Sequence, residues 1–236
     1  MDEDKGSIGG LKNPPPVTKK LFYASILFDA IGFLLCLFIN PVMFILMMLY
    51  VGISKAYSWK KIRLKKYGFT GWFVVMLFQG GYTYLLVNMA ASNNFNADWF
   101  NDQNVLCMIL ASLLIGASYP LTQIYQHDED SARGDLTISY RLGIRGTFVF
   151  VGALFSLACV FAWKYFTDYY SLRQFEFFIL CLFPVMCYFI YWFSKAWKNP
   201  ANANYSLAMR MTFISSTCMI ICFSVLFWIN HFGKTM

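Results

Sequence analysis

Apolar segments long enough to cross a bilayer recur along almost the whole of this 236-residue chain. A helix spans the hydrocarbon core with about 20 apolar residues, and only helices or closed barrels satisfy the backbone hydrogen bonds there. Charged residues make up 13% of the chain, against about a quarter in a typical soluble domain. The pattern predicts an all-α polytopic transmembrane helical bundle. The seven predicted spans are residues 21–40, 41–55, 69–90, 105–121, 147–166, 175–194 and 211–230.

The basic residues are distributed unevenly between the two sides of the predicted bundle. Sixteen of the 19 Lys and Arg precede the first span or follow the second, fourth and sixth spans, and three lie on the opposite side. Because positively charged loops stay in the cytoplasm, this asymmetry predicts an integral protein of the cell (inner) membrane. Residues 1–19, 56–68 and 122–146 are then cytoplasmic. Topology also explains the net charge of +7, so we expect no nucleic-acid partner.

The densest group of acids lies between the fourth and fifth predicted spans and contains Asp128, Glu129, Asp130 and Asp135. Helical residues three or four apart share a face, so Asp130 is expected to lie beside Gln126 or His127. Gln123 lies one turn earlier, and Asp128 points elsewhere on an unbroken helix. Carboxylates that face one pocket bind a hard cation such as Mg²⁺, which is commonly bound together with phosphate. A solvated loop whose acids balance nearby Lys and Arg is the alternative.

Six Lys and Arg fall within residues 55–66, at the end of the second span. Arginine binds phosphate through paired hydrogen bonds and lysine binds it as a point charge, so Lys61, Arg63 and Lys65 are candidate ligands of a diphosphate. Positive-inside topology, with attraction of this segment to anionic lipid, also explains the charge. The acids at the start of the chain, Asp2 and Asp4, are by themselves typical of a flexible terminus.

Three patterns follow one another along the chain. The basic segment reads Tyr57-Ser-x-x-x-x-Arg63-Leu-Lys65, with Gly68 and Gly71 after it, and the N-terminal segment contains Lys12-Asn-Pro-Pro-Pro16. The acidic segment reads Gln123-Ile-Tyr-Gln126-x-x-x-Asp130-x-x-Arg133-Gly134-x-x-Thr137 and ends in Arg141-Leu-Gly143. In this order and spacing they resemble three motifs of the UbiA superfamily of intramembrane prenyltransferases. These are its Tyr-Ser-x-Pro-Pro-x-Arg-Leu-Lys loop, the segment after its first acidic motif, and its second acidic motif.

This resemblance implies an enzyme that transfers a prenyl group from a prenyl diphosphate to an acceptor within the membrane, with Mg²⁺ as its cofactor. The implied acceptor is an aromatic compound or another lipid or quinone precursor. The implied catalytic residues are Asp130 and Asp128, with Tyr57 as a candidate whose role is open. The implied diphosphate-binding residues are Arg63, Lys65, Lys61 and Arg133, and the implied metal ligands are Asp2, Asp4, Gln126, Asp128 and Asp130.

The chain departs from the family pattern in two places. Members of the family have nine spans, with the first acidic motif after the second, whereas seven spans are predicted here and Asp2-Glu-Asp4 resembles the end of that motif. We therefore expect residues 1–236 to form a single prenyltransferase-like transmembrane domain that lacks its first two helices. Gln123 and Gln126 stand where the family has Asp. An amide oxygen can ligate Mg²⁺ but carries no charge, which weakens the implied metal site.

Two other functions fit parts of the sequence. A non-catalytic, lipid-binding relic of the fold is favoured by the expected missing helices and by the two glutamines. A transporter would require broken helices or internal repeats near the bilayer midplane, and no convincing pair of such segments is present in the sequence. Mg²⁺-dependent release of pyrophosphate distinguishes an enzyme from a relic, and flux across a membrane identifies a transporter.

Overall fold

The computed structural model describes residues 18–59 and 61–232. Within them, seven helical segments are long and apolar enough to cross a membrane, which confirms the predicted all-α bundle. The third of these segments is made of α3, a π-helical segment (Met76–Tyr82) and α4. The helices are α1 (Lys19–Ile39), α2 (Pro41–Ser58), α3 (Gly68–Val75), α4 (Thr83–Ser92), α5 (Asp102–Gln123), α6 (His127–Arg133), α7 (Ile138–Tyr169), α8 (Leu172–Lys198) and α9 (Tyr205–Phe232).

Side-chain caps explain several helix boundaries. Asn40 lies between α1 and α2 in an extended conformation, which ends α1. It caps the start of α2, because its Oδ1 accepts a hydrogen bond from the Val42 amide at 2.8 Å. Pro41 occupies the first position of α2, where the missing N–H has no partner to lose. Asn101 and Ser171 cap α5 and α8 in the same way. These short connections reverse the chain, so that successive spans run antiparallel.

The π-helical segment of the third span is a feature that ordinary helical periodicity does not predict. At this level Gly80 and Gly81 meet α5. A Cβ on Gly80 would lie 2.5 Å from the Cα of Ser112, and the Gly81 amide donates a hydrogen bond to Ser112 Oγ at 3.0 Å. Small residues allow helices to approach this closely within a membrane. The third span is thus fitted against α5 along its backbone.

Helix α5 lies at the centre of the bundle and α1 at its periphery. In the apolar window of α5 44% of the residues are buried, against 6% in α1. The third span and α7 both pack against α5 and also contact each other, and α8 contacts both α7 and α9. The largest core cluster lies where α5, α7, α8 and α9 meet, and it includes Ala117, Leu121, Phe148, Val151 and Trp192.

Two connections at the same end of the bundle form a cap. The basic loop (residues 59–67, of which residue 60 is not described) follows α2, and the acidic loop (residues 124–137) follows α5 and contains α6. Because successive spans run antiparallel, both loops leave the bundle on the same side. The structure joins them through parallel backbone pairing of Tyr67 with Leu136 and of Gly68 with Thr137.

Candidate active site

Two glycines allow the basic loop to pack closely. A Cβ on Gly68 would lie 2.7 Å from the carbonyl oxygen of Leu136 and 2.8 Å from Cδ of Arg141. A Cβ on Gly71 would lie 3.1 Å from the carbonyl oxygen of Leu64. Interiors packed at this density leave no space for an added methyl group. Gly68 and Gly71, which follow the Tyr57–Lys65 pattern, therefore allow the close contacts that hold the cap together.

A break between α5 and α6 turns the acids of the acidic loop in different directions. Helix α5 ends at Gln123, and α6 begins after Gln126, whose carbonyl oxygen accepts a hydrogen bond from the Asp130 amide at 2.8 Å. Asp130 is 7% exposed, whereas Asp128, two residues earlier on the helix, is exposed on a different face. Gln126 and Asp130 thus lie close together, as expected, through a hydrogen bond between their backbones. Asp128 is not buried with Asp130.

Asp135 joins Asp130 in the interior of the cap. Gly134 ends α6 with a left-handed φ of 72°, and the Asp135 amide donates a hydrogen bond to the Asp130 carbonyl oxygen at 2.8 Å. The reversal buries Asp135, which is 2% exposed. Asp135 is not among the site residues predicted from the sequence. The available signal was its position directly after a glycine that ends a helix, where the chain turns back on itself.

The two buried carboxylates interact. The pKa of Asp130 is raised from 3.8 to about 6, mainly by burial and also by the negative charge of Asp135. A hydrogen bond from Thr137 Oγ1 to Asp130 Oδ2 (3.1 Å) and the positive charges of Arg133 and Lys65 oppose this shift. Since burial disfavours the ionised carboxylate, a cation bound beside Asp130 would stabilise the ionised form and lower this pKa.

Arg63 reaches from the basic loop to this pair of acids. Its backbone is left-handed, with a φ of 46°, at the start of a short 3-10 turn. Its Nη2 lies 2.9 Å from Asp135 Oδ2, and the side chain of Asp135 is 3% exposed. Removal of one partner from a buried ion pair leaves the other charge uncompensated, which is strongly destabilising. The ion pair therefore ties the basic loop to the acidic loop.

The other three predicted diphosphate ligands have different surroundings. Lys65 belongs to the turn that follows Arg63, and its charge acts on Asp130. The charge of Arg133 also acts on Asp130, while its guanidinium forms an ion pair with a glutamate one turn earlier on α6. Lys61 is exposed. The structure thus gathers Arg63, Lys65 and Arg133 around the acids and leaves Lys61 at the surface.

A pair of tyrosines lies where α2 and α5 approach the cap. The hydroxyl groups of Tyr57 and Tyr119 are hydrogen-bonded to each other, and the Tyr119 hydroxyl also interacts with the side chain of Gln123. The charges of Asp130 and Asp135 act on both hydroxyls. Tyr57 is a predicted site residue, whereas Tyr119 is not. Its position one helical turn before Gln123, on the same face of α5, is the signal that sequence reasoning missed.

His127 fastens α6 to α7. Its Nε2 lies 2.8 Å from Ser139 Oγ, which in turn lies 3.0 Å from Thr147 Oγ1. The Thr147 hydroxyl donates to the carbonyl oxygen of Gly143 at 2.7 Å, where a left-handed φ of 66° interrupts α7. Burial lowers the pKa of His127. The sequence predicted that Gln126 or His127 lies beside Asp130. His127 instead bonds to α7 and anchors the acidic loop there.

An apolar cavity of about 350 Å³ lies among α5, α7, α8 and α9. Thr122, one residue before Gln123, lines the end of the cavity nearest the cap, and Met219 lines it near the middle of α9. The hydroxyls of Ser118 and Thr122 donate to backbone carbonyl oxygens of α5, so the walls offer few unused donors. A cavity of this size and composition suits the hydrocarbon part of a ligand.

The cap contains oxygen donors suited to a hard cation, although few of them are charged. Within the described part of the chain, no three His, Cys, Asp or Glu side chains form a group that could hold a metal ion. Asp135 Oδ1 and Gln123 Oε1 are buried and accept no hydrogen bond from the described residues. Together with Asp130 they offer the carboxylate and amide oxygens that Mg²⁺ accepts, so the donor set fits this ion. Asp2 and Asp4, two predicted metal ligands, lie outside the described residues.

Comparison with known proteins tests the resemblance seen in the sequence. The sequence profile of the UbiA prenyltransferase family matches residues 17–217, which is most of the chain. No curated protein and no solved structure gave a significant match. The matched region contains both loops of the cap and extends into the last span, and the all-α bundle is the fold that the resemblance implies. The chain therefore belongs to the UbiA prenyltransferase family.

Proposed function

We propose that the chain transfers a prenyl group from a prenyl diphosphate to an acceptor within the membrane, with Mg²⁺ as its cofactor. Family membership supports a prenyltransferase activity in general. The observation that carries the proposal is the meeting of the two loops beside an apolar cavity. Arg63 and Lys65 lie beside the buried acids Asp130 and Asp135, at the end of α5 where Thr122 lines a space of about 350 Å³ between the helices. Such an arrangement has partners for a charged head group and for an apolar tail.

The acids of the cap are the proposed holders of Mg²⁺, which when bound neutralises charge on the diphosphate. Asp130 is the principal proposed ligand because it is buried among basic side chains and its pKa is raised. Gln126 and Asp128 on the acidic loop, with Asp2 and Asp4 near the start of the chain, are the other proposed ligands. The exposed position of Asp128 makes it the weakest of those that the structure describes.

The basic side chains are the proposed partners of the diphosphate: Arg63, Lys65, Lys61 and Arg133. Negative charge grows on the leaving oxygen as the carbon–oxygen bond breaks, and donors already aimed at that position lower the barrier. Arg63 and Lys65 lie at the acids, and both come from a loop that is tied to the acidic loop by backbone pairing. Lys61 is exposed, so it would have to turn inward to take part.

The apolar cavity is the proposed binding site of the prenyl tail. In the reaction, the bond between the allylic carbon and the diphosphate oxygen breaks, and pyrophosphate leaves toward the cap. The allylic carbon then forms a bond to a nucleophilic atom of the acceptor, which loses a proton. Exclusion of water by the apolar walls protects the cationic carbon from hydrolysis. The proposed acceptor is an aromatic compound or another lipid or quinone precursor, as the family resemblance implies.

The proposed location is the inner cell membrane, with the cap in the cytoplasm. The basic loop and the acidic loop lie at one end of the bundle and hold most of the Lys and Arg between the spans. The positive-inside rule assigns that end to the cytoplasm. Labelling of single cysteines placed in the basic loop and in the loop between α4 and α5, in sealed vesicles, tests this orientation. Labelling of both loops from the same side contradicts it.

Replacement of Tyr119 by Phe is expected to reduce turnover about fivefold. The change removes one partner of an interior hydrogen bond between neutral groups, which is worth about 1 kcal/mol. Tyr23→Phe is the matched control, because Tyr23 is 67% exposed on α1, away from the cap. Pyrophosphate release by the two purified variants measures the effect. Equal rates would show that the Tyr57–Tyr119 pair takes no part in the reaction.

Release of pyrophosphate from geranylgeranyl diphosphate tests the proposed function. Membranes that contain the chain are assayed with and without Mg²⁺ across a panel of aromatic and lipid acceptors, beside membranes without the chain. We expect release that requires both Mg²⁺ and an acceptor. A folded chain that releases no pyrophosphate with any acceptor contradicts the proposal.

A second candidate function, a non-catalytic lipid-binding protein, is favoured by one group of observations. Gln123 and Gln126 carry no charge, and Arg63 is already paired with Asp135. A chain of this kind would bind a prenyl lipid in the cavity without cleaving it. Binding of a non-hydrolysable prenyl diphosphate analogue, without pyrophosphate release from the natural compound, identifies this function.

A further inference from the structure

The acidic loop is short of charge at the two positions where the family motif has Asp. Gln123 and Gln126 supply neutral amides there, so the loop alone loses two negative charges relative to that motif. A divalent hard cation is held chiefly by carboxylates, and affinity falls as the number of charged ligands falls. A functional site in this chain would need an acid from another position.

Asp135 has the geometry of such an acid. It lies five residues after Asp130 in the chain, yet the turn at Gly134 brings the two together, with the Asp135 amide 2.8 Å from the Asp130 carbonyl oxygen. Its side chain is nearly inaccessible, and the charge of each acid is felt by the same pair of hydroxyls, Tyr57 and Tyr119.

The ion pair with Arg63 does not use the whole carboxylate of Asp135. Arg63 engages Oδ2 at 2.9 Å, whereas Oδ1 is buried and receives no hydrogen bond from any residue that the structure describes. An ionised carboxylate has about four acceptor positions, and leaving a buried acceptor without a hydrogen-bond partner is unfavourable. The site is therefore built for a further positive partner at Oδ1.

A second buried acceptor belongs to a side chain that contacts one of the same pair of hydroxyls. Gln123 is 6% exposed, and its Oε1 likewise has no hydrogen-bond partner in the described ranges. Its side chain interacts with the Tyr119 hydroxyl, on which Asp130 and Asp135 both act. Two orphaned oxygens and a second carboxylate thus lie around one pair of tyrosines. Oxygens of this kind are the ligands of Mg²⁺ and Mn²⁺.

We infer that Asp135 supplies a second buried carboxylate ligand of the divalent-cation site in this chain, acting with Asp130 and the Gln123 amide oxygen in place of the family's aspartates. The inference rests on the proposed function, which gives the cation its role, but what it predicts is cation binding and not turnover. In this arrangement Asp135 bridges the cation and Arg63, so one carboxylate connects the acidic loop to the basic loop.

Mn²⁺ binding by the purified full chain in detergent tests the inference, with free Mn²⁺ followed by electron paramagnetic resonance and no substrate present. We expect Asp135→Asn to weaken Mn²⁺ binding about tenfold or more, as loss of groups that hold or orient a metal does. Asp98→Asn is the matched control, because Asp98 is an exposed acid at the opposite end of the bundle. It should bind Mn²⁺ as the wild type does.

Two further variants separate a ligand from a structural partner. Arg63→Gln breaks the same ion pair but keeps the carboxylate, so it should bind Mn²⁺ at least as tightly as the wild type. The double variant Arg63→Gln with Asp135→Asn leaves no unpaired buried charge, which favours folding, and it should bind as weakly as Asp135→Asn alone. Gln123→Asp added to Asp135→Asn should restore binding.

Three results would overturn the inference: wild-type affinity in Asp135→Asn, equal losses in Asp135→Asn and Arg63→Gln, or no Mn²⁺ binding by the folded wild type. Pyrophosphate release distinguishes this failure from failure of the proposed function. If the wild type releases pyrophosphate but Mn²⁺ binding does not require Asp135, the proposed function stands and the inference about Asp135 is wrong. If Mn²⁺ binding requires Asp135 but no pyrophosphate is ever released, the inference stands and the proposed function is wrong.

Discussion

Asn in place of Asp130 is expected to abolish pyrophosphate release, with a rate at least about 100-fold below that of the wild type. The amide keeps the volume of the side chain and still accepts the hydrogen bond from Thr137 Oγ1. It lacks the charge that holds a divalent cation in the cap, and loss of one preorganised electrostatic group costs about 10²–10³ in rate. Steady-state release from geranylgeranyl diphosphate at saturating Mg²⁺ measures the effect.

Two variants show whether the loss is specific to the buried acid. Asp98→Asn, in the loop between α4 and α5, should retain full activity because its side chain is exposed far from the cap. Asp128→Asn should lose less activity than Asp130→Asn, since Asp128 is exposed on the other face of α6. If Asp130→Asn keeps more than a tenth of the wild-type rate, Asp130 is not the principal ligand.

The same variant should be no less stable than the wild type at pH 8 when a chelator removes divalent cations. The pKa of Asp130 in the folded chain is about 6, above its ordinary value of 3.8, so the folded state binds the proton more tightly than the unfolded state. The resulting stabilisation is fully present below about pH 4 and is lost as the pH rises through about 6. At about 1.4 kcal/mol per pKa unit, the shift limits this contribution to about 3 kcal/mol.

Thermal unfolding midpoints at pH 5 and pH 8 test this linkage. The wild type should gain stability on acidification, and Asp130→Asn should gain less, because it has no carboxyl to protonate at this position. An equal gain in both proteins would show that other groups account for the pH dependence.

Gly68→Ala is expected to separate the two loops of the cap and to lower turnover about 100-fold. The new Cβ would lie 2.7 Å from the Leu136 carbonyl oxygen and 2.8 Å from Arg141 Cδ, so the backbone pairing of Gly68 with Thr137 must shift. Overpacking of this kind costs about 1–3 kcal/mol. A displacement of about 1 Å between groups that act together is enough to cost about 10²-fold in rate.

Gly52→Ala is the matched control for this substitution. Gly52 lies in α2, and a Cβ there would meet nothing within 4 Å. Alanine in a helix interior is favoured over glycine by about 0.5–1 kcal/mol, so this variant should be as stable as the wild type and fully active. Pyrophosphate release and thermal midpoints of both variants measure the difference. Similar activity in the two variants would show that contact between the loops is unnecessary.

The spans could be predicted because each depends on its own apolar length, and every predicted span overlaps an observed helix. The boundaries differ where polar residues continue a helix into the cap. Helix α7 begins at Ile138, nine residues before the predicted start at residue 147, because Thr137 caps it and the chain resumes helical structure after the break at Gly143. The π-helical segment was not predictable, since it accompanies a backbone contact with Ser112.

The site was predictable only in part. The resemblance to the family pointed to Tyr57, Arg63, Lys65 and Asp130, which the structure brings together at the cap. It gave no sign of Tyr119 or Asp135, because neither occupies a named position of the motifs. Asp128 and Lys61 carry the right chemistry for the predicted roles, but their exposure depends on which face of a short helix or turn they occupy.

The sequence by itself determined that this chain is a helical membrane bundle with most of its charges outside the apolar centres of the spans. Insertion of a segment into a bilayer depends on the polarity of that segment, which composition records directly. Only the tertiary structure decided which charges meet. The turn at Gly134, the left-handed Arg63 and the pairing of the two loops bury Asp135 against Arg63 and beside Asp130. Burial and pairing are properties of neighbours brought together by folding, and no local pattern contains them.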